Sequence, residues 1–167
     1  MNGTERRQFV WDHRTCVYGY ERRDEAPSMS VVYYTMDRDD LLISTMLERA
    51  KAKVAQRNLQ VSLCILDEQW PLTYLVVYGR VEMVDDEDLA TTIGMKTREI
   101  MSGVPTPESL RPVVLENVRK ERRVVARITP VSTFETPPRQ VTVAMQDESN
   151  PQVISHWLGN SLPWDAD

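Results

Sequence analysis

Six stretches of the chain concentrate β-branched and aromatic residues between turn signals, and this alternation of strand and break limits the fold more than any other feature. They are RTCVYGY (14–20), SMSVVYYTM (28–36), LLIST (41–45), VSLCILDE (61–68), LTYLVVYGRVEMV (72–84) and RVVARITPVSTFE (123–135). The polar DRDD between the second and third suits a hairpin, and QWP before Leu72 marks another turn. Gly79 interrupts the longest strand, where a bulge would help a sheet to curl.

Helical patterns fall at 47–57, at DDEDLATTIGMKTREIMSG (85–103) and at TPESLRPVVLENVRKERR (106–123). The second opens on acids that suit a helix N-terminus and ends at Gly103. The third offers Thr106 as N-cap and Pro107 at the first helical position, while Pro112 either kinks the helix or delays its start. The order predicts an antiparallel, mainly β domain with helices over its ends. Residues 1–135 form the body; 136–167 read as an extension that packs on the body or on a partner subunit, because exposed Trp157 and Trp164 would be a liability.

Composition excludes several classes. A net charge of -5 argues against nonspecific nucleic-acid binding. No apolar run approaches the ~20 residues of a membrane-spanning helix, and the N-terminal stretch has no secretory apolar segment, so the expected compartment is the cytoplasm. Cys16 and Cys64 lack a CxxC spacing and read as buried reduced thiols; His13 and His156 are too separated to anchor a metal.

Chemistry concentrates in LLISTMLERAKAKVAQRNLQVSL (41–63), where Arg49, Lys51, Lys53 and Arg57 gather in an acidic chain. One reading is a capped helix with a solvated face, Thr45 and Glu48 forming a capping box. At about 100° per residue, however, Leu47, Ala50 and Val54 make an apolar stripe, and Lys51 falls roughly 40° from Leu47, where it must snorkel or meet an anion. Strand-end hydroxyls at Ser44 and Thr45, free amides and nearby cations together describe a phosphate site. Arg49 and Lys51 lie about 200° apart on a regular helix, so both reach one phosphate only from a loop or first turn.

This run resembles the strand, Ser-Thr, R-A-K and V-S-L pattern of the pyridoxamine 5'-phosphate oxidase-like FMN-binding split β-barrel superfamily, and most of all its actinobacterial branch that uses coenzyme F420. RRDEAPSMSVVYYTMDRDDLLIST is similar to that family's first hairpin, YLVVYGRVEMVDD to its long strand and RRVVARITPVSTFE to its closing strand, so the resemblance spans about residues 9–135. It implies a six-stranded antiparallel split β-barrel, a homodimer with two cofactor sites at the interface, and phosphate binding by Ser44, Thr45, Arg49 and Lys51. It also implies that Tyr74 lies near the cofactor and that the backbone around Val31 and Val32 faces the ring. Glu25 stands where the family has a turn glycine, and Val31 where it often has proline.

The function so implied is hydride transfer from reduced F420 to an electrophilic organic acceptor such as an enone, quinone or tetrapyrrole. The chemistry belongs to the cofactor, so no catalytic dyad is required, and Tyr33, Tyr34 and Tyr74 are candidates to donate a proton. FMN in place of F420, a noncatalytic flavin, F420 or haem binder, and a cofactor-free dimer remain as alternatives. The expected partners are a second copy and a small molecule, with neither nucleic acid nor membrane.

Overall fold

The computed structural model describes residues 1–22, 24–49, 59–67, 69, 73–136 and 159–167. Its described elements are α1 (Gly3–Asp12), β1 (Thr15–Tyr20), β2 (Ser28–Tyr33), β3 (Thr35–Asp37), β4 (Asp40–Met46), β5 (Gln60–Asp67), β6 (Thr73–Val84), α2 (Glu87–Ser102), a 3-10 turn (Glu108–Leu110), α3 (Arg111–Lys120), β7 (Arg123–Glu135) and β8 (Asn160–Pro163). All eight strands join one sheet in the order β2-β1-β5-β6-β7-β4-β3, with β8 on β7. The pairings are antiparallel.

The sheet's two edges, β2 and β3, are consecutive in the chain, separated only by Tyr34. Two virtual bonds span at most about 7.6 Å, so the sheet must curl until its edges meet. Tyr34 pins that corner: its amide donates to the Arg14 carbonyl at 3.0 Å and its hydroxyl to the Val10 carbonyl at 2.7 Å. This corner also splits the expected strand at 28–36 in two. With β8 added, the described residues form eight strands where six were expected.

A register shift at Tyr78/Gly79 helps the curl: Tyr78 faces Ser132 and Gly79 faces Pro130, leaving Val131 as the bulged residue. A Cβ on Gly79 would stand 2.6 Å from Ile128 Cγ2, so the close strand crossing requires glycine. The Val131 carbonyl accepts from the Trp164 amide at 3.0 Å, and Trp164 itself is buried in the barrel core.

Two cores result. Leu41, Ile43, Leu63, Ile65, Leu75, Val77 and Ile128 fill the barrel, while Leu42 and Val125, on the opposite face of β4 and β7, pack under Ala90, Ile93, Val114 and Val118 of the helices. Helix α2 is capped by the Asp86 carboxylate, which accepts from the Leu89 amide at 2.9 Å, and by left-handed Gly103.

Three local expectations change. Thr106 is not an N-cap, for its hydroxyl donates to the Met95 carbonyl at 3.1 Å; the regular helix starts at Arg111, with Pro112 in its first turn, so the proline delays the start. Thr45 and Glu48 form no capping box: Thr45 is still in β4, and Glu48 pairs with Arg122 at 3.3 Å. Residues 47–49 form a turn in which the Arg49 amide donates to the Met46 carbonyl, and residues 50–57 of the expected helix lie outside the described residues.

Helix α1 was not expected from sequence. Its buried positions are Gly3, Arg6 and Val10, a helical spacing whose middle member is an arginine. Arg6 donates to Thr133 Oγ1 at 2.8 Å, pairs with Glu135 at 3.2 Å and bonds Asn160, so β7 and β8 supply the partners that its burial demands.

Candidate functional site

Along β4, side chains alternate between the two cores. Leu41, Ile43 and Thr45 face the barrel; Leu42 and Ser44 face the helices. Ser44 and Thr45, expected to hold one phosphate, therefore point to opposite sides of the sheet. Thr45 is 3% exposed and its Oγ1 has no hydrogen-bond partner among the described residues.

Ser44 opens onto a cleft of 440 Å³. The cleft forms because β3 pairs with β4 through Thr35 and Leu42, whereas β2 turns away at Tyr34 to pair with β1, so no ladder continues from Tyr33 to Ser44. Val31, Val32 and Tyr33 line one wall, and Thr97, Arg98 and Met101 of α2 another. Gly94 lets the two helices close over it: a Cβ there would stand 2.8 Å from Val114 Cγ1.

Of the expected site residues, Val31, Val32, Ser44 and Arg49 line this cleft together. Lys51 lies outside the described residues, as do Lys53 and Arg57. Tyr74 is on the outer sheet face, where its hydroxyl shares a hydrogen bond with Thr136 Oγ1 at 2.8 Å. Among the candidate proton donors, Tyr33 lines the cleft, while Tyr34 is buried against Val10, and burial pushes its hydroxyl's pKa well up.

Two residues were missed. Arg123, at the start of β7, reaches Ser44 Oγ at 3.3 Å and Glu121 at 2.6 Å; Arg98 projects from α2. The signal for Arg98 was present in the helix, since Gly94, Thr97, Arg98 and Met101 repeat at helical spacing as a second face beside the buried one. Three arginines against the single acid Glu121 make the described lining cationic in a chain of net charge -5. Neither Arg49 nor Arg98 has an acid partner among the described residues. Such a lining suits an anion, and Arg guanidinium forks with a hydroxyl match the geometry of a phosphate.

A larger cleft of 670 Å³ lies on the other side of α2, but its charges are mixed. Asp37 there is held by Arg127 at 2.9 Å, and Arg14 donates to the carbonyls of Trp11 and His13, leaving no net preference for an anion. No group of side chains suited to a metal occurs among the described residues.

A family model described as pyridoxamine 5'-phosphate oxidase matches residues 4–135. The chain belongs to this family. Among solved structures, the conserved hypothetical protein Rv2991 of Mycobacterium tuberculosis is similar at 23% identity over 80% of this chain and 82% of that one, with a TM-score of 0.67. An F420 reductase is similar at 21% identity over 72% and 88%, with a TM-score of 0.54. A FAD-binding protein of Mesorhizobium loti is similar at 17% identity over 80% and 92%, with a TM-score of 0.59. No curated protein matches the chain. The pyridoxamine 5'-phosphate oxidase family includes oxidoreductases, and its mainly β antiparallel fold is the one described above. Among the described residues no helix is long and apolar enough to cross a membrane.

Proposed function

We propose that the protein is an oxidoreductase that binds coenzyme F420 and moves hydride from its reduced form to an electrophilic organic acceptor. The observation that carries this reading is the convergence of Ser44, Arg49 and Arg123 in a cleft whose other wall is Val31, Val32 and Tyr33. The donor set fits a phosphate, and the adjoining wall of β2 gives a ring an apolar strand to lie on. The bound cofactor would supply the reactive carbon; the chain supplies orientation and charge. Arg49 and Arg123 neutralise the phosphate, Glu121 holds Arg123 in place, and Tyr33 offers a hydroxyl toward the acceptor.

A homodimer belongs to the same reading. The outer face of β2, β1, β5 and β6 carries Met29, Val31, Tyr33 and Tyr78 exposed, and Val31 continues across the sheet in register with Val17, Cys64 and Val76. Such an apolar sheet face suits a second copy, and Tyr74 on it would then approach the partner's cofactor rather than its own. Cys16 faces inward and Cys64 outward, so no disulfide joins the two, in keeping with the cytoplasm this reading assigns.

FMN is the competing cofactor because it offers the same phosphate. Titration with F420 and with FMN, followed by oxidation of reduced F420 against a panel of enones, quinones and tetrapyrroles, tests the proposal. Turnover with F420 is the expected result. FMN-only binding would move the protein to the flavin branch, tight binding without turnover would make it a carrier, and binding of neither would end the reading.

A further inference from the structure

The cofactor cleft does not end at α2. Arg98 and Met101 line both that cleft and an adjoining groove of 420 Å³ that runs beneath the C-terminal end of the helix, against Val104, Pro105, Pro107 and Leu110. The two depressions meet at these shared side chains, which places Arg98 on the border between the Ser44 cleft and the groove.

What lines the groove decides what that extension is. Among the described residues no acidic side chain lines it. Pro105 and Pro107 have no amide hydrogen to donate. The Thr106 hydroxyl is engaged with the Met95 carbonyl at 3.1 Å, and the Ser102 hydroxyl with the Val104 carbonyl at 3.1 Å. Arg98 is the one cation in the described lining. The contrast with Arg111 is direct: close by on the next helix, it is held by Glu108, whereas Arg98 has no acid partner among the described residues.

We propose that Arg98 forms a second anion subsite, so that the cleft selects ligands carrying a phosphate and at least one further negative group, such as a carboxylate tail, over ligands with a lone phosphate monoester. The proposal rests on the reading that Ser44, Arg49 and Arg123 hold a phosphate. It goes beyond that reading by assigning discrimination between a tailed cofactor and FMN to one side chain of α2.

Calorimetric titration of wild type, Arg98→Ala, Arg98→Lys and Arg123→Ala with F420 and FMN tests it. Arg98→Ala is expected to weaken F420 about tenfold more than it weakens FMN, and Arg98→Lys to recover part of that difference; tenfold is the size of one charge-assisted contact. Arg123→Ala should weaken both ligands alike. Equal losses for F420 and FMN in Arg98→Ala, or no loss for either, overturn the second subsite. If wild type binds neither cofactor, the functional reading fails, and the subsite is judged with inorganic phosphate against 2-phosphoglycerate. A preference for the phosphate-carboxylate that Arg98→Ala abolishes supports it, and no such preference overturns it.

Discussion

Arg6 and the cleft arginines are the same residue in opposite circumstances. Arg6 is 1% exposed, and Glu135, Thr133, Asn160 and the Met1 carbonyl occupy its guanidinium. Arg49 and Arg98 are exposed, and among the described residues no acid meets them. A buried charge survives only when every donor is matched, so Arg6 joins α1 to β7 and β8; an unmatched exposed charge in a concave site is available to a ligand. The difference predicts that the first kind of arginine governs stability and the second governs binding.

The largest expected effect breaks the comparison at its buried end. Arg6→Met strips partners from Glu135, Thr133 and Asn160 at once, and breaking a buried pair costs about 3–5 kcal/mol. Denaturant unfolding should show that loss, and a midpoint like wild type's would mean that α1 is held by something else.

At the exposed end, Arg49→Ala removes a charge-assisted contact worth about 1.5–3 kcal/mol of phosphate affinity, or roughly ten- to a hundredfold in dissociation constant. Stability should stay within about 0.5 kcal/mol of wild type. A variant that loses stability but keeps its ligand would reverse the assignment.

Tyr34 lies between these extremes, a buried neutral donor. Tyr34→Phe leaves the Val10 carbonyl short of its partner, at a cost of about 1 kcal/mol near neutral pH. Because burial raises the folded-state pKa of this phenol, its contribution is fully present below the unfolded value of about 10 and is lost as pH rises beyond it. Wild type should therefore lose stability above about pH 10, more steeply than Tyr34→Phe. Tyr18, buried and shifted the same way, keeps a residual slope in the variant. Parallel stability curves for wild type and variant across that range would exclude Tyr34 as the titrating group.

The sequence displayed the strands well because their patterning is local: β-branched runs and turn residues located β1, β4, β5, β6 and β7 within a residue or two. The break at Tyr34 was hidden, since transfer of the chain from one sheet edge to the other depends on partners at Val10 and Arg14 that no local pattern reveals. Helix α1 was hidden for a related reason, its inward stripe being carried by Arg6 rather than by a hydrophobe. In the cleft, the motif around Ser44 and Arg49 was legible because it is contiguous. Arg98 and Arg123 come from α2 and β7, and only folding brings them beside it.

The smallest effect separates two neighbours that the sequence had joined. Ser44 and Thr45 differ by one position, and the two-residue period of a strand sends one to the cleft and the other to the barrel interior. Thr45 carries a buried hydroxyl with no partner among the described residues, so Thr45→Val, nearly its isostere, removes an unmet polar group. The expected result is a stability equal to wild type or up to about 1 kcal/mol higher, with ligand affinity unchanged. Ser44→Ala should do the reverse, leaving unfolding nearly unaltered while affinity falls severalfold, because the hydroxyl that Arg123 contacts at 3.3 Å is exposed to the ligand and not to the core. If Thr45→Val instead weakens binding as much as Ser44→Ala, the hydroxyl acts through the barrel wall on the cleft, and the division of β4 into a structural face and a binding face does not hold.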